Sequence, residues 1–430
     1  MQLRVLVVVL CAICTLDVLA DDARDEVVNR QRRMIFNNDG DDTWLTDEPA
    51  TPEGFLSVRM DHIGDCNVDT VFYCTTQSIN LFTQNSEVTE VFDASSGGFG
   101  HNRMNELIAA GTDPVTLAVK ACRQRGIEIF WTLRMNDIHD RWSNEFFSQW
   151  KKDNPDKLMG SQGDGSKYPS SDPRNVWTFA DFEHREVRDL MVAIIEDVLN
   201  RYDVDGIDMD FLRHTAYFKE TLRFEPVTRE HITMLTEMVE NIRKMVLAAS
   251  ERKGRPILLS ARVFPTLALN RRFGFDVRNW VTDGRVDFLS VGGGYDPYTM
   301  PAKDMIDRGH NWGIPVYLCL SASGMVQRKI EHSLLNGGST EAWRGAAANA
   351  WHAGADGIMT FNLFPHLPET DTTRNARAAW KEMSDPKAMV GKDKLFCIEN
   401  LLHSETLGYM MKSVPVAGRL PAPLLRGGTL

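Results

Sequence analysis

Eight short apolar runs, spaced along the chain with helical segments between them, constrain the fold more than any other feature. They lie at Met34 to Asn38, Val71 to Gln77, Ile127 to Asn136, Gly206 to Phe211, Ile257 to Phe264, Val286 to Gly294, Pro315 to Leu320 and Gly357 to Leu363. A parallel strand covered on both faces reads as such a run. Helical spacing is clearest at Pro114 to Arg125, His184 to Tyr202, Thr228 to Arg252 and Glu341 to Ala353. Within the second of these, Leu190, Ile194, Ile195, Val198 and Leu199 fall three and four apart, which is one face of an amphipathic helix. Strand and helix alternating eight times predicts an α/β fold, a (β/α)8 TIM barrel with long βα loops. A doubly wound open sheet is the alternative, but no glycine-rich phosphate turn follows the first run.

The runs assign residues 33–385 to the barrel. Ahead of them stand Arg4, an apolar run from Val5 to Leu16, and Val18-Leu19-Ala20 before Asp21. This predicts a signal peptide over residues 1–20, too short to span a bilayer, and hence a secreted or periplasmic protein with no transmembrane segment in the mature chain. Residues 21–32 read as a flexible lead-in, and residues 386–430 as a short C-terminal extension with a Pro and Gly-rich end. Ile138 to Phe182 has no core pattern and reads as a long functional loop. The 59 acidic residues outnumber the 48 basic ones, and a net charge of −11 excludes a protein that works by neutralising nucleic-acid phosphates. Beyond the leader remain Cys66, Cys74, Cys122, Cys319 and Cys397, an odd set without close spacing. That excludes a disulfide framework or a structural zinc site and predicts core thiols.

In a barrel, functional groups sit at the C-terminal ends of the strands, and side chains alternate along each strand. In the third run Ile129, Trp131, Leu133 and Met135 form the outer face, which leaves Arg134 and Asn136 toward the mouth. In the fourth, Ile207, Met209 and Phe211 alternate with Asp208 and Asp210; in the fifth, Leu259, Ala261 and Val263 alternate with Ser260 and Arg262. By the same parity Met359, Phe361 and Leu363 face outward in the eighth, with Thr360 and Asn362 inward. The first run ends at Asn37-Asn38-Asp39, the second at Thr75-Thr76-Gln77, and the sixth passes through three glycines into Tyr295-Asp296.

Paired carboxylates at a cleft suit glycoside hydrolysis, one as acid and one as nucleophile or base. Arginines beside Asp210 favour its ionised form, so Asp210 is assigned as the nucleophile or charge stabiliser and Asp296 as the proton donor. Asp208, Arg134, Asn136, Asp137, Arg262, Tyr295, Asn362, Asp39 and Gln77 would orient them and the sugar. Arg134, Arg213, His214 and Arg262 suggest a carboxylated or sulfated sugar. Trp44, Trp142 and Trp177 fall in loops where they would stack on a sugar or anchor the loop. No G-x-S-x-G elbow is present, which excludes the usual serine-hydrolase turn. Neither Asp137, His139 and Asp140 nor Asp39, Asp41 and Asp42 has an established metal-ligand spacing, so no metal or cofactor is expected. A non-catalytic carbohydrate-binding barrel and a metal-dependent hydrolase are the competing readings.

From about Arg33 to Pro365 the sequence resembles the glycosyl-hydrolase-like family ten, exported bacterial barrels. The resemblance rests on Gly126-Ile-Glu-Ile-Phe-Trp, Tyr202-Asp-Val-Asp-Gly-Ile-Asp-Met-Asp, Val286-Asp-Phe-Leu-Ser and Gly354-Ala-Asp-Gly-Ile-Met-Thr-Phe. It implies a TIM barrel and glycosidase activity, with Asp210 in the place of the family's characteristic acid. The chain departs from the family in continuing as Phe211-Leu-Arg-His. The fourth run is also similar to the chitinase D-G-x-D-x-D-x-E signature, but Leu212 stands at the glutamate position, which argues against chitinase chemistry.

Overall fold

The computed structural model describes residues 23–45, 49–64, 66–141, 143–161, 177–223, 225–292, 300–321, 339–364 and 371–396. Trp142, Tyr295, Asp296, Cys397 and the segment read as a signal peptide lie outside these residues. Eight parallel strands, β1 (Met34–Asn38), β2 (Thr70–Cys74), β3 (Glu128–Arg134), β4 (Gly206–Asp210), β5 (Leu258–Val263), β6 (Phe288–Val291), β7 (Val316–Ser321) and β8 (Gly357–Phe361), close into a barrel in chain order. Closure is made by β1 against β8, with Met34 opposite Ile358. A helix follows each strand: α1 (Pro52–Val58), α2 (Pro114–Arg125), α3 (Arg185–Arg201), α4 (Arg229–Lys253), α5 (Val277–Thr282), α6 (Lys303–Asn311), α7 (Thr340–Ala353) and α8 (Asp371–Met383). This is the TIM barrel that the sequence pattern predicts.

Local chemistry sets the helix boundaries. Asp113 caps α2 by accepting from the Thr116 N–H at 2.8 Å, Pro114 opens it, and Gly126 closes it at φ 66°. The outward faces of the strands pack on the helices in one continuous core that includes Ile129, Trp131, Leu133, Ile207, Met209, Leu259 and Ala261. A second cluster fills the barrel itself: Ile35, Phe72, Phe130, Leu258, Phe288, Tyr317, Cys319, Met359 and Phe361. Phe72 and Phe288, from strands on opposite sides, approach to 6.3 Å between ring centroids. Gly206 makes room for this filling, since a Cβ there would stand 2.1 Å from the Phe130 ring.

Three sequence readings are corrected. In β8 the inward residues are Met359 and Phe361, so Thr360 faces outward, and Asn362 lies beyond the strand at φ 53°. The lead-in is not a loose tail. Residues 23–28 are helical, Val28 packs under the barrel filling, and Arg24 and Arg32 pair with Asp287 and Glu128. Within the loop from Ile138 to Phe182, Gln149–Asp153 is helical, and Ile138, Met159 and Phe179 share a small core with Ala216 and Leu222. Pro386–Met389 begins the extension as a 3-10 turn, and the Leu395 N–H donates to the Glu341 carbonyl at 2.8 Å, so its first residues pack on α7. Cys66, Cys74, Cys122 and Cys319 are buried thiols outside any disulfide. No helix among the described residues is long and apolar enough to cross a membrane.

Candidate functional site

The barrel filling turns from apolar to charged as the strands reach their C-terminal ends. Thr132, Asp208, Ser260 and Phe288 lie side by side across β3 to β6, and two residues further on Arg134, Asp210, Arg262 and Ser290 do the same. Each of these strands alternates with a period of two, so the pattern that buries Ile207 and Met209 outside also delivers Asp208 and Asp210 inside.

Asp210 is held from four directions. Arg262 donates through Nε and Nη2 at 2.8 and 2.7 Å, and the N–H groups of Leu212 and Arg213 donate to Oδ1 at 2.8 and 3.0 Å. Such a bidentate, charge-assisted pair fixes the position of the carboxylate. The Arg262 guanidinium in turn lies 4.5 Å from the centroid of the Phe361 ring. One turn of the pleat deeper, Asp208 accepts from Ser260 at 2.8 Å, while its Oδ2 is buried without a partner among the described residues. Burial and the charge of Asp210 push Asp208 up to about 7, so this carboxyl carries a proton across the acidic range.

A second carboxyl group stands at the end of β1. Gly40, at φ 76° and with no space for a Cβ beside the Cys74 carbonyl, turns the chain tightly over β2 into the 3-10 helix Asp41–Thr43. Burial works against the Asp39 charge, but Arg59, Arg134 and Arg213 outweigh it and hold the group below the usual carboxylate range. Asp41 goes the other way: burial and the charge of Asp39 push it up to about 8. An ionised and a neutral carboxyl therefore sit two residues apart, within the field of Arg134. Environments that drive neighbouring carboxyls apart in this way mark acid and base roles. The sequence reading had placed Asp41 only in a metal trio; D-G-D-D looks like ordinary turn chemistry, and nothing local announces the asymmetry.

On the β3 side, the loop residue Asp137 is fully buried and pairs with His139 at 2.7 Å and with His214 at 3.6 Å. Arg213 reaches the other ring nitrogen of His139 at 2.7 Å, and Arg134 lies 3.7 Å from Asp137. Burial, aided by Arg213 and opposed by Asp137, lowers His139 to about 3, and burial likewise lowers His214 to about 4. Both imidazoles are therefore neutral near pH 7. Asp140 belongs elsewhere: its Oδ1 accepts from the buried Lys151 at 2.7 Å.

Other residues assigned to substrate have these surroundings. Asn136 is spent on backbone, donating to the carbonyls of Ala180 and Ala216 at 2.9 and 2.7 Å and accepting from the Ala180 N–H, so it ties the loops after β3 and β4 together. Trp44 meets Phe99 edge-on at 5.2 Å and joins an aromatic cluster with Phe92 and Phe146. Trp177 lies 5.7 Å from Phe147. Gln77 is in a small three-stranded sheet beside the barrel, with Nε2 buried and unpartnered among the described residues. Arg134, Asp208, Asp210 and Arg262 share the barrel interior, Asp39, Asp137, Arg213 and His214 ring its mouth, and the positions of Tyr295 and Asp296 lie outside the described residues.

A closed parallel barrel with its ionisable groups gathered at the C-terminal mouth defines a TIM-barrel protein of the kind that carries polar catalytic sites there. Residues 59–244 match the family model of Glycosyl hydrolase-like 10, the family that the strand motifs resemble. No curated protein sequence matches the chain. Among solved structures, the alpha-L-fucosidase isoenzyme 2 from Paenibacillus thiaminolyticus is similar at 12% identity and a TM-score of 0.50 over 84% of this chain. The chain spans about half, 50%, of the fucosidase's length. The PgaB (BpsB) glycoside hydrolase domain from Bordetella bronchiseptica is similar at 11% identity and a TM-score of 0.51, over 82% of this chain and 99% of that domain. At these identities the likeness is one of fold.

Proposed function

We propose that the protein is an exported glycoside hydrolase that cleaves an O-glycosidic bond of a poly- or oligosaccharide with carboxyl groups at the barrel mouth. What supports this is the set of carboxyls at the C-terminal ends of the strands: Asp210 clamped by Arg262 on β4, and Asp39 and Asp41 after β1, whose surroundings favour the charged form of the first and the neutral form of the second. In this reading Asp41 gives its proton to the departing sugar oxygen, Asp210 stabilises the positive charge that grows on the anomeric carbon, and water adds to that carbon and returns a proton to the Asp41 carboxylate. Arg134 and Arg213 at the mouth extend the reading to a carboxylated or sulfated sugar. The apolar leader over residues 1–20 supports export.

Release of reducing sugar from a panel of neutral and anionic polysaccharides tests the reaction class and the substrate charge together. Hydrolysis of anionic members above neutral ones is expected. Equal turnover of both removes the anionic preference, and saturable binding without any hydrolysis favours the non-catalytic barrel. The acid assignment has its own readout. A donor that must be protonated gives activity that is full below its pKa and falls as pH rises through about 8. Asp41→Asn is expected to lower turnover about 100-fold or more and to abolish that alkaline fall. If Asp296→Asn does so while Asp41→Asn keeps the wild-type profile, Asp296 is the donor.

A further inference from the structure

We propose that Asp137, His139 and His214 form a binding site for a divalent transition-metal cation of the zinc class. The three residues present ligand atoms that all lie within 4.8 Å of one another. His139 Nδ1 stands 2.7 and 2.8 Å from the two Asp137 oxygens, and His214 Nδ1 stands 3.6 Å from Oδ2. Around a cation with bonds of about 2.1 Å, neighbouring ligand atoms are about 3.0 to 3.4 Å apart, so these separations bracket the requirement. The donors, all within 4.8 Å of one another, reach those spacings by side-chain rotation.

The cluster is built into the scaffold. Asn136, immediately before it, locks the loop through the Ala180 and Ala216 carbonyls, and the buried Lys151 donates to the Asp137 carbonyl at 2.9 Å. The His139 N–H donates to Asp137 Oδ1 at 2.8 Å, which fixes the carboxylate between the rings. Phe146 packs edge-on against His139 and Phe179 against His214. Asp137 is fully buried, whereas His139 and His214 keep 14% and 12% of their side chains exposed, so the cluster is reached from solvent through the histidines. Three protein donors leave a coordination position for water or a substrate oxygen, as in catalytic rather than structural zinc sites.

The charges around the cluster select the metal. Arg134 and Arg213 both face it, at 3.7 Å from Asp137 and 2.7 Å from the second nitrogen of His139. A hard cation such as calcium or magnesium draws on several negative oxygens, and here one carboxylate faces two guanidinium groups. Imidazole nitrogen suits zinc and its transition-metal neighbours, whose affinity rests less on net charge. Arg213 donates to His139 Nε2 and so keeps the ring proton on Nδ1, the atom that would bind the ion; its removal frees that tautomer and should strengthen binding.

Calorimetric titration of the full chain, stripped with a chelator and desalted, tests this with zinc chloride, magnesium chloride and calcium chloride as separate probes at neutral pH. One equivalent of zinc is expected, with affinity at least about 10-fold weaker in His139→Ala and in His214→Ala, and tighter in Arg213→Ala. Circular dichroism of each variant checks its fold, and should one histidine variant misfold, the other carries the comparison. The proposal is overturned by the absence of saturable zinc binding, by zinc binding that is unchanged in the folded histidine variants, or by calcium or magnesium binding as tight as zinc. None of these readouts depends on glycoside hydrolysis.

Discussion

Asp210→Asn is expected to reduce turnover of an established glycoside substrate by about 100- to 1000-fold, the range that follows loss of one electrostatic stabiliser of a transition state. The amide oxygen can keep the Leu212 and Arg213 N–H groups and Arg262 Nε, all of which now reach Oδ1. What it gives up is the negative charge and the Oδ2 contact with Arg262 Nη2 at 2.7 Å, where an amide nitrogen would meet a donor head-on. Some stability is lost with it, because Arg262 is fully buried and left with a neutral partner. The ratio of effects separates chemistry from folding. If Asp210 stabilises charge at the anomeric carbon, kcat falls while KM changes little, and activity per folded molecule stays low at temperatures far below the melting transition. Wild-type turnover in a folded Asp210→Asn variant removes Asp210 from the mechanism.

The strands that sequence parity read correctly are those whose two faces differ in chemistry. In β3, β4 and β5 the outward residues are apolar and the inward ones charged or polar near the mouth, so alternation alone placed Arg134, Asp208, Asp210 and Arg262. In β8 the same reasoning put Thr360 and Asn362 inside, because apolarity was taken to mark the helix-facing side. The barrel there is filled by Met359 and Phe361 while the polar Thr360 faces the helices, so the usual polarity of the two faces is reversed and parity misleads. The Asp137 cluster was legible only in part, for a different reason. His139 and Asp137 are sequence neighbours, but His214 arrives from the next strand's loop, and Asp140 is withdrawn by Lys151, a residue with no motif to announce it. Asn136 and Trp44 have the composition of ligand-binding residues, yet the backbone carbonyls and aromatic rings that occupy them come from segments far along the chain. Side-chain type and strand parity were legible; which polar groups were already spent on the scaffold was not.

The lead-in residues make the same point for stability, and Arg32→Met should show it most strongly. Arg32 and Glu128 are fully buried at the N-terminal end of the barrel, joined by Nε to Oε2 at 2.6 Å and Nη2 to Oε1 at 2.9 Å. The guanidinium also donates to the carbonyls of Val27 and Val28, and so fastens residues 23–32 beneath the barrel. Methionine keeps much of the volume but leaves Glu128 with Thr70, at 2.8 Å, as its remaining side-chain partner among the described residues, inside the core. Breaking a buried ion pair from one side costs about 3–5 kcal/mol, because the surviving charge stays desolvated. Denaturant unfolding should register a loss of that size. A loss below about 1 kcal/mol would show that the floor relaxes or admits water. The double variant Arg32→Met with Glu128→Leu removes both charges and should recover most of the stability, since apolar replacement of a whole buried pair is often neutral. Turnover per folded molecule should hold in both variants, because the pair lies at the opposite end of β3 from Arg134 and the mouth. A chain whose floor and mouth respond so differently keeps its folding charges and its chemical charges at separate ends of the same strands.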